Sequence, residues 1–315
     1  MPRAFAKVIL FGEHAVVHGR TAVAAALDRG ATSTGRRIEG PSRLELHAWS
    51  KVVFADYSQR PEQPGDDDDV ARAFAAVLGE VGGEGAVDVE IDVQVPGGAG
   101  LGCSAAIAVA LARAIAEARG VALDDRRAAE CANAWERVFH GNPSGVDGAV
   151  AAHGGVISFR RGEAIRPIVP GGVMDLCVGY TGEPSSTKSM VEAVARQLAR
   201  RPEVVERTFD GIDTLARKGA QAIEAGRWYE VGQMMDLNHA LLSSLMVSTE
   251  ALERACNAAR NAGAVGAKLT GGGGGGCAIA LAPGKTDDVL AAWKALGIDG
   301  FVARIGTPIT SRVSA

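Results

Sequence analysis

Backbone donors, one serine and a handful of ionisable side chains are what this chain offers for chemistry. The stretch PGGAGLGCSAA, Pro96 to Ala106, places Gly97, Gly98, Gly100 and Gly102 ahead of Ser104. Such a loop leaves peptide N–H groups unobstructed where a helix starts, and orphan donors together with the helix dipole favour an anion such as phosphate. Lys7 interrupts the apolar run FAKVILFG, where a solvated edge position is the usual fate of a lysine. His14 and His18 are four apart, which on a helix would suit a metal. The valines between them and Gly19 after them favour extended backbone instead, which argues against zinc. Glu136 falls near the C-terminal end of a helical pattern, where the dipole disfavours an acid; solvation or a bound metal ion would each account for it. Asp147 follows the turn formers Asn142 to Gly145 in HGNPSGVDGAVAAHGG, which reads as an ordinary loop. Gly271 to Gly276 form an unbroken run between two apolar strands, which favours a tight loop making a close approach over a flexible linker.

The elements that must position these groups follow from period and punctuation. VDVEIDVQV, just before the central loop, alternates as a half-buried strand should, and SAAIAVALARAIAEARG after it is an alanine-rich helix ended by Gly120. FAKVILFG and TAVAAAL form a strand, turn, strand arrangement, with further short strands at TSTGRRIE, RLELHAW and KVVFAD. QRPEQPGDDDD is a polar connector whose acidic end caps the helix VARAFAAVLGEVG. ALDDRRAAECANAWERVFHG is a helix, GVISFR a strand, and GEAIRPIVPGG has the proline and glycine content of a boundary, placed near Gly171. Beyond it come the strand MDLCVGYTG, three or four helical segments from about Ser186 to Gly263, strands at AVGAKLT and CAIALA, the helix TDDVLAAWKALG and a strand at GFVARI.

Composition bounds the rest. With 315 residues, 47% of them hydrophobic, the chain can bury a large core and its length suits two domains. A net charge of -4 gives no reason to expect nucleic acid or an anionic membrane. Five cysteines without a CxxC pair point to free thiols in a reducing compartment, not to disulfides or structural zinc. The N-terminal apolar run is too short for a signal segment and no run reaches spanning length, so a cytoplasmic protein is expected.

Among phosphate-binding motifs, the central loop has the G-x4-G spacing and terminal serine of a P-loop, but Cys103 stands where the lysine is required. Gly100, Gly102 and Ala105 fit a loose dinucleotide fingerprint; Asp124 and Asp125, however, open a helix instead of ending a strand, which leaves a NAD-dependent oxidoreductase as the runner-up. Three stretches taken together, KVILFGEHAVVHG, PGGAGLGCSAA and KLTGGGGGGCAI, resemble the three motifs of the galacto-, homoserine, mevalonate and phosphomevalonate kinase (GHMP kinase) superfamily, over about residue 5 to residue 280. GEHAVVHG with ERVFHGNPSGVD looks specifically like its mevalonate kinase family, whereas a galactokinase would be expected to read GEHTDY-like.

The resemblance implies an α+β, two-domain architecture. An N-terminal domain of the ribosomal-protein S5 second-domain type would span residues 1–171, joined by a returning strand at 307–315, and a ferredoxin-like C-terminal domain 172–306, with the active site in the cleft between them. It further implies phosphoryl transfer from ATP to mevalonate. Asp147 would be the general base and Lys7 would stabilise charge on the transferring group. Ser104 and Glu136 would hold Mg2+, Glu13, His14 and Thr187 would orient mevalonate, and Pro96, Gly97, Gly98, Ala99, Gly100, Leu101, Gly102, Cys103, Ser104 and Ala105 would line ATP. Gly271, Gly272 and Gly273 would pack against the phosphate loop. The family includes many dimers. Two departures stand out: Cys103 replaces the usual serine of GLGSSAA, and Gly272 replaces an alanine. At a helix N-terminus and partly exposed, Cys103 is expected to be the most reactive thiol. A mevalonate 3-kinase, a diphosphomevalonate decarboxylase relative and a ligand-binding pseudokinase are the alternatives, argued against by the joint presence of Lys7, Ser104, Glu136, Asp147 and GEHAVVHG.

Overall fold

The structure, a computed structural model, describes residues 1–55, 69–141 and 143–306. The connector ahead of Asp69, Asn142 of NPSGVD, and the returning strand expected from Thr307 lie outside the described residues. The chain divides into two compact units. One holds Met1–Ala6, Arg29–Pro96 and Gly102–His153; the other holds Lys7–Asp28, Gly97–Leu101 and the chain from Gly154 onward.

The first unit is a sheet backed by helices. β5 (Ala86–Val93) lies between the second half of β2 (Ala22–Ile38), antiparallel, and β3 (Ser42–Leu46), parallel; β3 in turn pairs with β4 (Lys51–Ala55). Its alternation sends Val87, Val89 and Ile91 to the core while Asp88 meets Arg36 and Arg43 on the opposite face. TSTGRRIE, expected as a separate strand, is instead continuous with TAVAAAL in the 17-residue β2, because Gly30 and Gly35 lie within the strand and do not turn it. At Gly35 a Cβ would lie 2.6 Å from the Ala114 carbonyl, so the glycine serves close packing against α2 (Cys103–Arg119). α2 is buried nearly all round, through Ala105, Ala106, Ala108, Ala110, Ala112 and Ala114, as an apolar helix without a polar face must be. Beside it pack α1 (Asp69–Val81), α3 (Asp125–His140) and α4 (Val146–His153). The loop expected over HGNPSGVDGAVAAHGG is therefore only half right. The turn formers end at Gly145, and the buried GAVAA run carries α4 so close to α3 that a Cβ at Gly148 would lie 3.3 Å from the Ala129 carbonyl.

In the second unit, β11 (Asp299–Ile305), β8 (Met174–Tyr180), β10 (Cys277–Leu281) and β9 (Gly266–Thr270) form an antiparallel sheet in that order, the arrangement a ferredoxin-like domain requires. α8 (Glu250–Asn261) and α9 (Thr286–Ala295) pack on it around Trp293, whose indole N–H donates to the Ala255 carbonyl at 2.8 Å. α7 (Trp228–Ser244) lies on β9, α6 (Pro202–Glu224) on α7, and α5 (Thr187–Arg200) on α6. The first half of β2 pairs with β6 (Val156–Phe159), and β6 with β7 (Arg166–Ile168), a strand inside the segment read as a boundary. β1 (Arg3–Phe11) leads into this unit from Lys7.

Gly219, in the C-terminal third of α6, meets the end of β1: a Cβ there would lie 2.5 Å from the fully buried Phe11 ring. An alanine would gain about 1 kcal/mol of helix propensity, but overpacking a closed core costs roughly 1–3 kcal/mol. Gly219→Ala should therefore lower the midpoint of thermal unfolding; an unchanged or raised midpoint by calorimetry would show that the ring can yield.

Candidate active site

In the second unit, β1 and the Gly97–Leu101 segment are joined at Lys7, which is buried. Its backbone N–H donates to the Leu101 carbonyl at 2.9 Å and its ammonium to the Gly100 carbonyl at 3.1 Å. Gly98, Gly100 and Gly102 sit at φ +74°, +77° and +72° with ordinary backbone between them. This alternation turns successive peptide N–H groups toward one side, the geometry of an anion nest. Gly102 is the N-cap of α2 and brings no side chain to its open donors.

The six-glycine run has a different neighbour at nearly every position. A Cβ at Gly271 would lie 3.1 Å from the Gly100 carbonyl, and one at Gly276 3.1 Å from the Ala99 carbonyl, so these two meet the phosphate loop. A Cβ at Gly272 would instead lie 3.1 Å from the Thr187 Cα and 3.3 Å from its hydroxyl, and one at Gly273 would lie 2.2 Å from the Val247 carbonyl. Of the three glycines assigned above to the phosphate loop, Gly271 is the one whose Cβ would have its nearest neighbours there, whereas those of Gly272 and Gly273 are Thr187 and Val247. Ser185 links the two loops: its N–H donates to the Gly98 carbonyl at 3.2 Å and its hydroxyl to the Gly273 carbonyl. Thr187, exposed, opens α5 directly after the N-cap Ser186.

Gly12 and His14, at φ +103° and +60°, end β1 in a tight turn. Ala15–His18 then forms a 3₁₀ turn closed by Gly19, which corrects the extended backbone expected from the two valines: chain reversal outweighs β propensity there. His18 stacks on Phe209, with centroids 4.6 Å apart. His14 is buried with Nε2 2.9 Å from the Gly272 carbonyl. Burial pushes its pKa down to about 4 against the opposing pull of that bond, so the ring is neutral near pH 7. A carbonyl can only accept, so the proton resides on Nε2 and Nδ1 is left as an acceptor.

Behind the turn, Glu13 is 1% exposed and Lys268 fully buried. The Lys268 ammonium donates to Glu13 Oε1, to the Leu269 carbonyl at 2.6 Å and to the Ile9 carbonyl at 3.4 Å, while Asn238 Nδ2 donates to Glu13 Oε2 at 3.1 Å. Sequence reasoning missed Lys268 and Asn238. The available signal was a lysine inside the apolar strand AVGAKLT, since such a lysine needs a buried partner.

In the first unit, the Ser104 hydroxyl donates to Glu136 Oε1 at 2.5 Å and accepts from the Trp135 indole N–H at 3.1 Å; Glu136 is buried. Asp147 lies in the first turn of α4, half-buried. Among the described residues no group of three His, Cys, Asp or Glu could hold a metal. The Ser104–Glu136 pair nevertheless fits a hard cation such as Mg2+, which takes few protein oxygens and completes its shell with water and phosphate. Cys103, expected to be partly exposed, is buried, and burial with the nearby Glu136 charge pushes its thiol up to about 11.

Family models described as GHMP kinases N terminal domain and GHMP kinases C terminal match residues 68–155 and 220–299. A mevalonate kinase of Pyrococcus abyssi is 37% identical over 327 residues, 98% of this chain and 94% of that relative. A crystal structure of L. major mevalonate kinase in complex with R-mevalonate superposes with a TM-score of 0.81 at 29% identity, covering 97% of this chain and 95% of the other. Lactococcus lactis galactokinase complexed with galactose reaches the same TM-score of 0.81 at 20% identity, covering 97% and 93%, a likeness of fold alone.

Two measurements check the site. A histidine whose pKa falls on folding binds more protons when unfolded, so its contribution to stability is complete above about pH 6.5 and is lost as pH falls toward 4. The loss attributable to His14 is on the order of 3 kcal/mol. His14→Asn, with a side chain tolerant of positive φ, should flatten the denaturation midpoint between pH 4 and 6.5; an unaltered slope would remove His14 as its source. Iodoacetamide at pH 7.5 should label Cys103 in the folded protein no faster than it labels the other buried thiols, with rapid labelling only after unfolding.

Proposed function

The chain belongs to the mevalonate kinase family of the GHMP kinases, and on that premise we propose that it transfers the γ-phosphoryl group of ATP to the C5 hydroxyl of (R)-mevalonate, giving 5-phosphomevalonate and ADP. The observation that carries this reading is the close packing of Gly271, where a Cβ would lie 3.1 Å from the Gly100 carbonyl that Lys7 bonds, with His14 hydrogen-bonded one residue further along the same glycine run. A phosphate-binding loop and the turn proposed to meet the acceptor are thus tied to one element.

Phosphoryl transfer asks for positioning, charge neutralisation and a group to take one proton. In this reading Pro96 to Ala105 and the open start of α2 receive the phosphates. The Lys7 ammonium, already aimed at the loop through the Gly100 carbonyl, balances charge that develops on the transferring group. Asp147 accepts the proton of the attacking C5 hydroxyl. Ser104 and Glu136 would hold Mg2+, which when bound neutralises phosphate charge. Thr187 and the acceptor Nδ1 of His14 orient mevalonate, Nδ1 suiting a hydroxyl donor on the substrate and not its carboxylate. We keep the domain boundary near Gly171 as part of this reading, although the second compact unit already resumes at Gly154. Among the described residues no helix is long and apolar enough to cross a membrane, and we place the activity in the cytoplasm.

An ATP-coupled assay over mevalonate, phosphomevalonate, galactose and homoserine should give the highest kcat/KM with mevalonate. Asp147→Asn should bind Mg-ATP normally yet lose on the order of a hundredfold or more in kcat; near-normal turnover would sink Asp147 as the base.

A further inference from the structure

We infer that Lys268 and Glu13 act as one positioning unit for the acceptor turn, so that Glu13 serves mevalonate through His14 and not by touching it. The inference deepens the function proposed above and rests on it. Residues 13 and 14 are each tied to the strand-and-loop segment that begins with β9: Glu13 to Lys268 by the ion pair, His14 to the Gly272 carbonyl at 2.9 Å. Both Glu13 oxygens are engaged, one by Lys268 and one by Asn238 of α7, and its side chain has no exposed surface. The Lys268 ammonium meets three acceptors, so its three protons are all committed within the fold. Thr270 adds a further stitch, accepting from the Ile9 N–H at 2.8 Å and donating to the Ile9 carbonyl at 3.1 Å. The end of β1 is therefore fastened to β9 by side chains. His14 sits at φ +60° between this anchor and the 3₁₀ turn, a conformation a histidine holds only when its surroundings impose it.

A direct substrate ligand and a positioning partner respond oppositely to a second substitution. Removing one member of a buried pair strands the other charge, whereas removing both leaves a neutral, well-filled site. Lys268→Met and Glu13→Gln should each raise KM for mevalonate at least about tenfold while KM for ATP stays within about twofold. The double variant should bind mevalonate more tightly than either single, although it lacks the Glu13 carboxylate. A double variant no better than Glu13→Gln would overturn the inference, and that comparison stands even if Lys268→Met fails to fold. Imidazole nitrogen NMR gives a readout independent of turnover. The Nε2–H tautomer of His14 should be lost in each single variant and regained in the double; its persistence in both singles would equally overturn the coupling. Failure of the wild-type chain to phosphorylate mevalonate would instead count against the function, with the NMR comparison still deciding the pairing.

Discussion

A lysine with no exposed surface is tolerable only where a carboxylate and backbone carbonyls replace all the water it has lost. Lys268 meets that condition, and the demand fixes much around it. Burial drives the ammonium pKa down and the Glu13 charge opposes the fall, so the pair stands or falls together; deleting one partner of such a pair typically costs roughly 3–5 kcal/mol. The pair adds little net stability over two apolar side chains of similar volume. What it supplies is exclusivity, because one arrangement of β1, β9 and α7 satisfies both charges, and that arrangement sets the turn that carries His14.

The glycine run beyond β9 shows the same logic without charge. Gly271 and Gly276 make way for the phosphate loop, Gly272 for Thr187, Gly273 for the Val247 carbonyl, Gly274 for Met190 and Gly275 for Glu183. Six glycines in a flexible linker would each be replaceable. Here each is held by a different neighbour, and the loop is pinned by Ser185 and by the Gly276 N–H to the Glu183 carbonyl at 2.7 Å. Gly272 is the position with most latitude: it is not held at positive φ, and a Cβ there, 3.1 Å from the Thr187 Cα and 3.3 Å from its hydroxyl, would ask for a displacement of a few tenths of an ångström.

Elements with strong periodicity were legible in the chain itself. β5 alternates, α2 is bounded by Gly102 and Gly120, and β9 and β10 flank the glycines as apolar strands should. Where local signals misled, a long-range contact had decided. Turn formers masked α4 because its helicity comes from packing on α3, and two valines suggested extension where Gly12, His14 and Gly19 reverse the chain. Cys103 looked exposed from its place at a helix start, yet the alanine-lined helix it opens is buried to its first residue. Ser104 and Glu136 were named from family motifs, and the 2.5 Å bond between them supplies the local reason for an acid near a helix C-terminus. Lys268 was overlooked since its partner is 255 positions away, and no window along the chain contains both.

That separation also governs how the protein is made. Lys7–Asp28 belong to the unit completed from Gly154 onward, so the opening turn leaves the ribosome long before the strand that must neutralise Glu13. At roughly 5–20 residues per second of synthesis, the interval over 255 positions is on the order of 10–50 s. For that time β1 has β2 to pair with, while the Glu13 carboxylate at its end lacks its native counterion. The fastening of the end of β1 to β9 consequently waits for Lys268 and Thr270 to be synthesised.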